Sequence, residues 1–265
     1  MSTKITCTRT RSFTVLSYPS AIDLSSSTLR FLATRLRRHR VVIGSRWRKL
    51  PPQRQALLVL AHLRNGDTYA SLAAGFGVGV ATVYRYVTEA VEVLAAIGPE
   101  LSDAVRTAKR KAFVILDGTL IAIDRVHHQR PYYSGKHKRH GVNVQLLADP
   151  AGRLIWASPA LPGSTHDLTA ARRHSLITAL TSAAIATFAD KGYLGAGGAV
   201  GTPYRGRGLV GYRRRFNHHH ARIRGVGERA VATLKAWRVL AKVRCSPHRI
   251  SRLLAAILTL HHTPT

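Results

Sequence analysis

Two short apolar runs in this chain each end in an aspartate, and few folds accommodate both. The first is Ala112-Phe113-Val114-Ile115-Leu116, followed by Asp117-Gly118-Thr119. The second is Ala186-Thr187-Phe188-Ala189, followed by Asp190-Lys191-Gly192-Tyr193. Unbroken apolar runs of this length read as strands buried on both faces, so the sheet they enter needs helices to cover it. A carboxylate delivered at the end of such a strand is costly unless a partner is waiting. Acids are scarce: from Lys111 to the C-terminus they are Asp117, Asp124, Asp149, Asp167, Asp190 and Glu228. Asp149 lies in Asp149-Pro150-Ala151-Gly152, a turn composition that accounts for it, and Asp124 needs no role beyond the surface. The other four stand at predicted element ends or on a helix face, where carboxylates can converge.

The elements between the two runs set the fold class. Val142 to Ala148 and Arg153 to Ala157 read as strands joined by the Asp149 turn, and Leu168 to Leu180 reads as a helix. After Asp190 comes a glycine- and arginine-rich segment, then a helix carrying Glu228. This α/β order predicts a ribonuclease-H-like catalytic domain, a mixed sheet with flanking helices, over residues 106–265. At about 100° per residue, Arg224, Glu228 and Lys235 share one helix face, while Ala230, Leu234, Trp237 and Ala241 form an apolar stripe roughly opposite. On its own the charged face reads equally as a solvated ion-pair surface. Ile250 to Leu260 reads as a final apolar helix, either core or an interface between copies.

Residues 19–105 are predicted all-α. Leu29, Leu32 and Leu36 give helical spacing to Ser27 to Arg40, Gln53 to Arg64 resumes it, and Asn65-Gly66 stops it. From Tyr69 the pattern is that of a helix-turn-helix. Leu72, Ala73 and Phe76 form the inner face of the first helix, Gly77 takes the turn, and Val78, Val83 and Tyr86 seat the second. Ala81, Thr82 and Arg85 remain outward at the start of that helix, where such a unit meets base edges. An ordinary helical hairpin would give the same pattern, so charge has to decide. With 41 Lys+Arg against 12 Asp+Glu the net charge is +29, which repels itself unless a polyanion is present. The basic residues are spread along the whole length and no apolar run is long enough to span a bilayer, which favours double-stranded DNA over a membrane. Residues 1–18 are polar and basic and read as a disordered arm.

Other cationic groups cluster between Tyr132 and Gly141, read as a loop in which Lys136, Lys138 and Arg139 face phosphate, with a solvated charge run as the alternative. His218-His219-His220 cannot converge on one ion from a regular element and reads as a solvated cluster, and Gly195 to Gly198 reads as a loop. Cys7 and Cys245 lack any metal-ligand or scaffold spacing, which points to a reducing cytoplasm.

Five motifs then carry a family resemblance over about residues 50–262. They are Leu-Asp-Gly-Thr at 116–119, Tyr-Ser-Gly-Lys-His-Lys-Arg-His-Gly at 133–141, Pro-Gly-Ser-Thr-His-Asp at 162–167, Ala-Asp-Lys-Gly-Tyr at 189–193 and Gly-Glu-Arg-Ala at 227–230. Together they resemble the DDE superfamily of insertion-sequence transposases, in the branch with a Harbinger-type endonuclease domain. The resemblance implies that Asp117, Asp190 and Glu228 are the catalytic acids, and that Asp117, Asp167, Asp190 and Glu228 hold Mg²⁺ or Mn²⁺, as two ions. Asp167 has a competing reading as the N-cap of the helix that follows it. Arg224 and Lys235 match a family signature around the glutamate and are assigned to DNA, although Ala221 stands where that signature has tyrosine.

The expected function is a transposase, dimeric on DNA and nucleoid-associated in the cytoplasm. It would bind an element's terminal repeats and perform metal-dependent strand cleavage and transfer into target DNA. The alternative is a catalytically silent DNA-binding protein of the same descent, acting as a repressor.

Overall fold

A computed structural model describes residues 22–45, 47–124, 130–241, 243 and 245–263. The predicted arm at 1–18 and Cys7 lie outside the described residues. Helix α1 (Ser26–Val42) starts at Ser25, whose hydroxyl accepts from the Thr28 amide, and α2 (Pro52–Leu60) runs through a wide turn to Gly66, left-handed at φ 74°. Helix α3 (Tyr69–Phe76) is capped by Thr68, whose hydroxyl accepts from the Ser71 amide at 3.1 Å. Gly77 takes φ 63° between α3 and α4 (Val80–Ala95). Leu72, Ala73, Phe76, Val78, Val83 and Tyr86 are all buried, as the pattern requires. Helix α5 (Leu101–Ala108), closed by a reciprocal Glu100 and Asp103 cap, leads into the sheet.

Strand β1 (Val114–Ala122) is the spine. It pairs antiparallel with β3 (Arg139–Ala148) and parallel with β6 (Thr187–Ala189), which pairs in turn with β7 (Val200–Gly201). Strands β2 (Tyr133–Ser134), β4 (Leu154–Ala157) and β5 (Leu161–Pro162) all pair antiparallel with β3. Helices α6 (Asp167–Arg173), α7 (Leu176–Ser182), α8 (Gly211–Gly225), α9 (Glu228–Lys235) and α10 (Pro247–His261) complete a mixed sheet flanked by helices, preceded by a helical helix-turn-helix region. This is the α/β, ribonuclease-H-like arrangement expected.

Several local expectations change. Asp117 lies in the middle of β1 and not at its end, because Leu120 and Ile121 continue the strand against Asn143 and Val142. The cationic loop is a hairpin, with Tyr133 opposite His140 and Ser134 opposite Arg139. The single helix expected over 168–180 breaks at Ser175, at φ 56°. Asp167 is not an N-cap: His166 holds that position, and Asp167 is the first residue of α6. The helix expected to run through Glu228 is two helices. Between them Gly227 donates to the Arg224 carbonyl and Ala230 to that of Gly227, three-residue bonds that tighten the turn and shift the helical phase. Ala230, Leu234 and Trp237 are buried as expected, but Leu240 takes the inward place given to Ala241, which is exposed. His218 and His219 are exposed, while His220 is buried with Nε2 3.2 Å from the Gly201 carbonyl.

One continuous apolar core runs from Leu32 in α1 to Leu260 in α10. Helix α10 packs along α4, where Arg249 donates to Tyr84 Oη and Thr88 Oγ1, both at 2.9 Å, and Thr259 donates to the Leu94 carbonyl at 3.0 Å. The helix-turn-helix is thereby braced against the sheet-bearing part, and Trp156 Nε1 adds a bond to the Pro99 carbonyl at 3.1 Å.

Candidate active site

Parallel pairing of β1 and β6 places Ala189 beside Leu116, so the next residues, Asp190 and Asp117, emerge together. Strand β1 continues beyond the end of β6, leaving Asp117 at an open step in the sheet. By strand alternation Asp117 shares a face with Ile115, and Ile115 is the residue against which Gly227 packs. The face bearing Asp117 is therefore covered by the joint between α8 and α9. Asp167 arrives from the other face. It is 8% exposed, and its Oδ1 and Cγ fill the space a side chain at Gly118 would need. Gly118 is thus required for Asp167 to reach the sheet beside Asp117 in the chain.

A second glycine completes the cradle. A Cβ on Gly192 would lie 2.8 Å from Asp190 Oδ1 and 3.2 Å from Asp167 Oδ2, so these two oxygens converge on one small region. Asp190 is oriented by the turn that follows it, accepting from the Gly192 amide at 2.8 Å. Asp117 Oδ1 accepts from the Gly118 amide at 3.0 Å. Burial first and the Asp190 charge second push the Asp117 carboxyl up to about 6, with Arg224 and the Gly118 amide opposing.

A cation already leans on this cluster. Lys136 Nζ lies 3.2 Å from Asp167 Oδ2, although its side chain is 60% exposed. Burial works to lower its ammonium, yet Asp167, Asp190 and Asp117 together hold it above its ordinary value. Among the described residues no three acid, histidine or cysteine side chains are spaced to close around one ion as they stand. The hard oxygen donors, the two glycine gaps and the ammonium standing at Asp167 together fit a divalent cation.

The remaining sequence candidates fall into three places. Glu228 is exposed in the first turn of α9, and none of the interactions described around the three aspartates involves it. Arg224, partly exposed at the end of α8, acts electrostatically on Asp117, while Lys235 is exposed and acts on His137 of the hairpin. Lys138, at φ 50°, and Arg139 are exposed on that hairpin. Far from these, Ala81 and Arg85 are exposed and Thr82 is partly exposed on α4, with Arg85 Nε donating to the Ala81 carbonyl at 3.3 Å. A cleft of about 880 Å³ lies elsewhere, bordered by Lys111, Asp149, Arg153 and Arg229, and Asp117, Asp167 and Asp190 do not line it.

Residues 116–262 match the family model described as DDE superfamily endonuclease. The chain belongs to this superfamily. A second model, helix-turn-helix of DDE superfamily endonuclease, matches residues 48–100 of the endonuclease, the stretch that contains α2, α3 and α4. No curated protein and no solved structure matches it. The two models make the chain a transposase-like, DNA-binding endonuclease of a superfamily that generally uses divalent metal ions. Among the described residues no helix is long and apolar enough to cross a membrane.

Sequence reasoning missed three residues of the endonuclease that touch this site indirectly: Asn143, Gln145 and Tyr193. A signal existed. Asn143 and Gln145 are polar at alternate positions of β3, within a run from Gly141 to Ala148 that is otherwise apolar and buried.

Proposed function

We propose that this endonuclease is a DNA transposase of the Harbinger-type branch, which binds the terminal repeats of its element and carries out strand cleavage and strand transfer. The observation that supports this most is the approach of Asp167 and Asp190 to one gap at Gly192, with Asp117 near enough to feel both charges and the Lys136 ammonium drawn to Asp167. In this reading Asp117, Asp190 and Glu228 are the catalytic acids, and with Asp167 they hold two Mg²⁺ or Mn²⁺ ions. When bound, such ions activate the attacking water or 3′-hydroxyl and stabilise the leaving oxygen. Asp117 and Asp190 present their oxygens from neighbouring strands, which fixes their separation. Arg224 and Lys235 receive backbone phosphates beside them, and Lys136, Lys138 and Arg139 do so on the hairpin. Ala81, Thr82 and Arg85 read the repeat in the major groove.

We assign residues 19–105 to recognition and 106–265 to catalysis, with the protein acting as a dimer on DNA at the nucleoid. The exposed position of Glu228 and the alanine at 221 favour a second reading, a repressor that binds the repeats without cutting them. A cell-based assay separates the two. Given a marker flanked by the repeats that border its own gene, the protein should mobilise the marker, and purified protein should nick repeat-bearing plasmid only with Mg²⁺ or Mn²⁺. Asp117→Ala, Asp190→Ala and Glu228→Ala should each abolish nicking and leave duplex binding intact. Tight repeat binding with neither nicking nor mobilisation would establish the repressor.

A further inference from the structure

We propose that Asn143, Gln145 and Tyr193 form a positioning relay that turns Asp167 into a one-oxygen ligand for the cation of the site, an inference that rests on the metal-binding reading above. The chain of bonds is short and buried. Tyr193 donates its hydroxyl to Gln145 Oε1 at 2.6 Å, Gln145 Nε2 donates to Asn143 Oδ1 at 2.7 Å, and Asn143 Nδ2 donates to Asp167 Oδ1 at 2.7 Å. Tyr193 and Gln145 are 0% exposed and Asn143 7%.

The direction of the relay is forced by its ends. Asn143 Nδ2 also donates to the Thr165 carbonyl at 3.0 Å, so two acceptors that cannot donate, a carbonyl and a carboxylate, lie on the same side of the amide. Its nitrogen must face them and its oxygen must face Gln145. The Gln145 nitrogen is then committed to that oxygen, which leaves its own oxygen to accept from Tyr193. Reversal at any step would set two acceptors or two donors against each other inside the protein, where an unpaired polar group is expensive.

The consequence falls on Asp167. Oδ1 is occupied by a donor on the inner side, so the carboxylate cannot rotate, and Oδ2 is the oxygen turned outward. That outer oxygen is the one nearest the Gly192 gap shared with Asp190, and the one to which Lys136 is drawn. Three buried polar side chains cost more than the leucine or phenylalanine that would otherwise fill such a core, unless they hold something in place. Groups standing behind a metal ligand typically alter metal affinity by about 10–100-fold when removed.

Mn²⁺ binding to the full chain without DNA, followed by calorimetry, tests this independently of cleavage. Tyr193→Phe, which deletes one oxygen, should weaken Mn²⁺ about 10-fold, and Asn143→Leu up to about 100-fold, with Tyr193→Phe still folded but melting somewhat below wild type because Gln145 Oε1 loses its donor. In an Asp167→Ala background Tyr193→Phe should have no further effect, because the relay acts only through Asp167. Wild-type Mn²⁺ affinity in Tyr193→Phe, or an undiminished loss in the Asp167→Ala background, would overturn the relay while leaving the site standing. Failure of the wild-type chain to bind Mn²⁺ in a manner abolished by Asp117→Asn would overturn the site reading, and the relay with it.

Discussion

Asp167 and Glu228 are both acids in the first turn of a helix, yet the protein treats them in opposite ways. Asp167 is buried, bonded through one oxygen to Asn143 and approached through the other by Lys136, over a glycine that leaves room for it. Glu228 is exposed at a tightened joint between α8 and α9, in a region dense in arginine. The sheet-borne half of the site is preorganised by backbone pairing and buried hydrogen bonds, which are in place before any ligand arrives. The helix-borne half is anchored mainly by apolar contacts, among them Ala230, Leu234 and Trp237, and its acid faces water. If the site is to close, the change falls on the half that costs least to move, where few buried polar bonds have to break.

The largest effect should split the two halves. Asp190→Asn should reduce plasmid cleavage by about 10³-fold and weaken Mn²⁺ binding to the DNA-free protein about 100-fold. Glu228→Gln should match it in cleavage but leave DNA-free Mn²⁺ affinity within about threefold, because Glu228 is exposed and outside the contacts among the aspartates. Parallel cleavage and calorimetry on the two variants decide it, and equal losses of Mn²⁺ affinity would erase the contrast.

A smaller effect sharpens the preorganised half. Asp117 titrates at about 6 in the folded protein, above its ordinary 3.8, so the folded state holds its proton more tightly than the unfolded chain. The contribution to stability is therefore most favourable below the unfolded value, declines as pH rises from about 4 to about 6, and stays at its worst above that. Asp117→Asn removes this penalty. Denaturant unfolding of the metal-free protein should show the variant more stable by about 2–3 kcal/mol at pH 7.5, with the gain vanishing near pH 4. A gain independent of pH would point to packing instead of charge.

The smallest effect contrasts the site with the recognition helix. Arg85→Ala should cost about 1–3 kcal/mol in affinity for the terminal repeats and little for random duplex, if Arg85 reads a base. Equal losses on both duplexes in a titration would make it a phosphate contact and leave the choice of sequence to Ala81 and Thr82.

Much of the fold was legible because it depends on near neighbours. Short apolar runs placed β1, β3, β4 and β6, helical spacing placed the helix-turn-helix, and Gly66 and Gly77 marked turns that do need a left-handed residue. Local reading erred at joints. The break at Ser175 and the tightened turn at Gly227 both lie inside stretches with good helical spacing, and packing against the sheet overrides that spacing.

The site divides along the same line. By itself the sequence determined a strongly basic chain with two strand-borne aspartates, a helix-turn-helix and a DNA partner, since composition and periodicity are properties of the chain alone. Tertiary structure alone decided that Asp167 lies over Gly118 instead of capping α6, that Lys136 turns to a carboxylate, and that Tyr193 reaches Gln145, 48 residues away in sequence. The physical reason is that these depend on which buried donor finds which acceptor once the sheet has assembled, and no local pattern records a bond between residues so far apart along the chain.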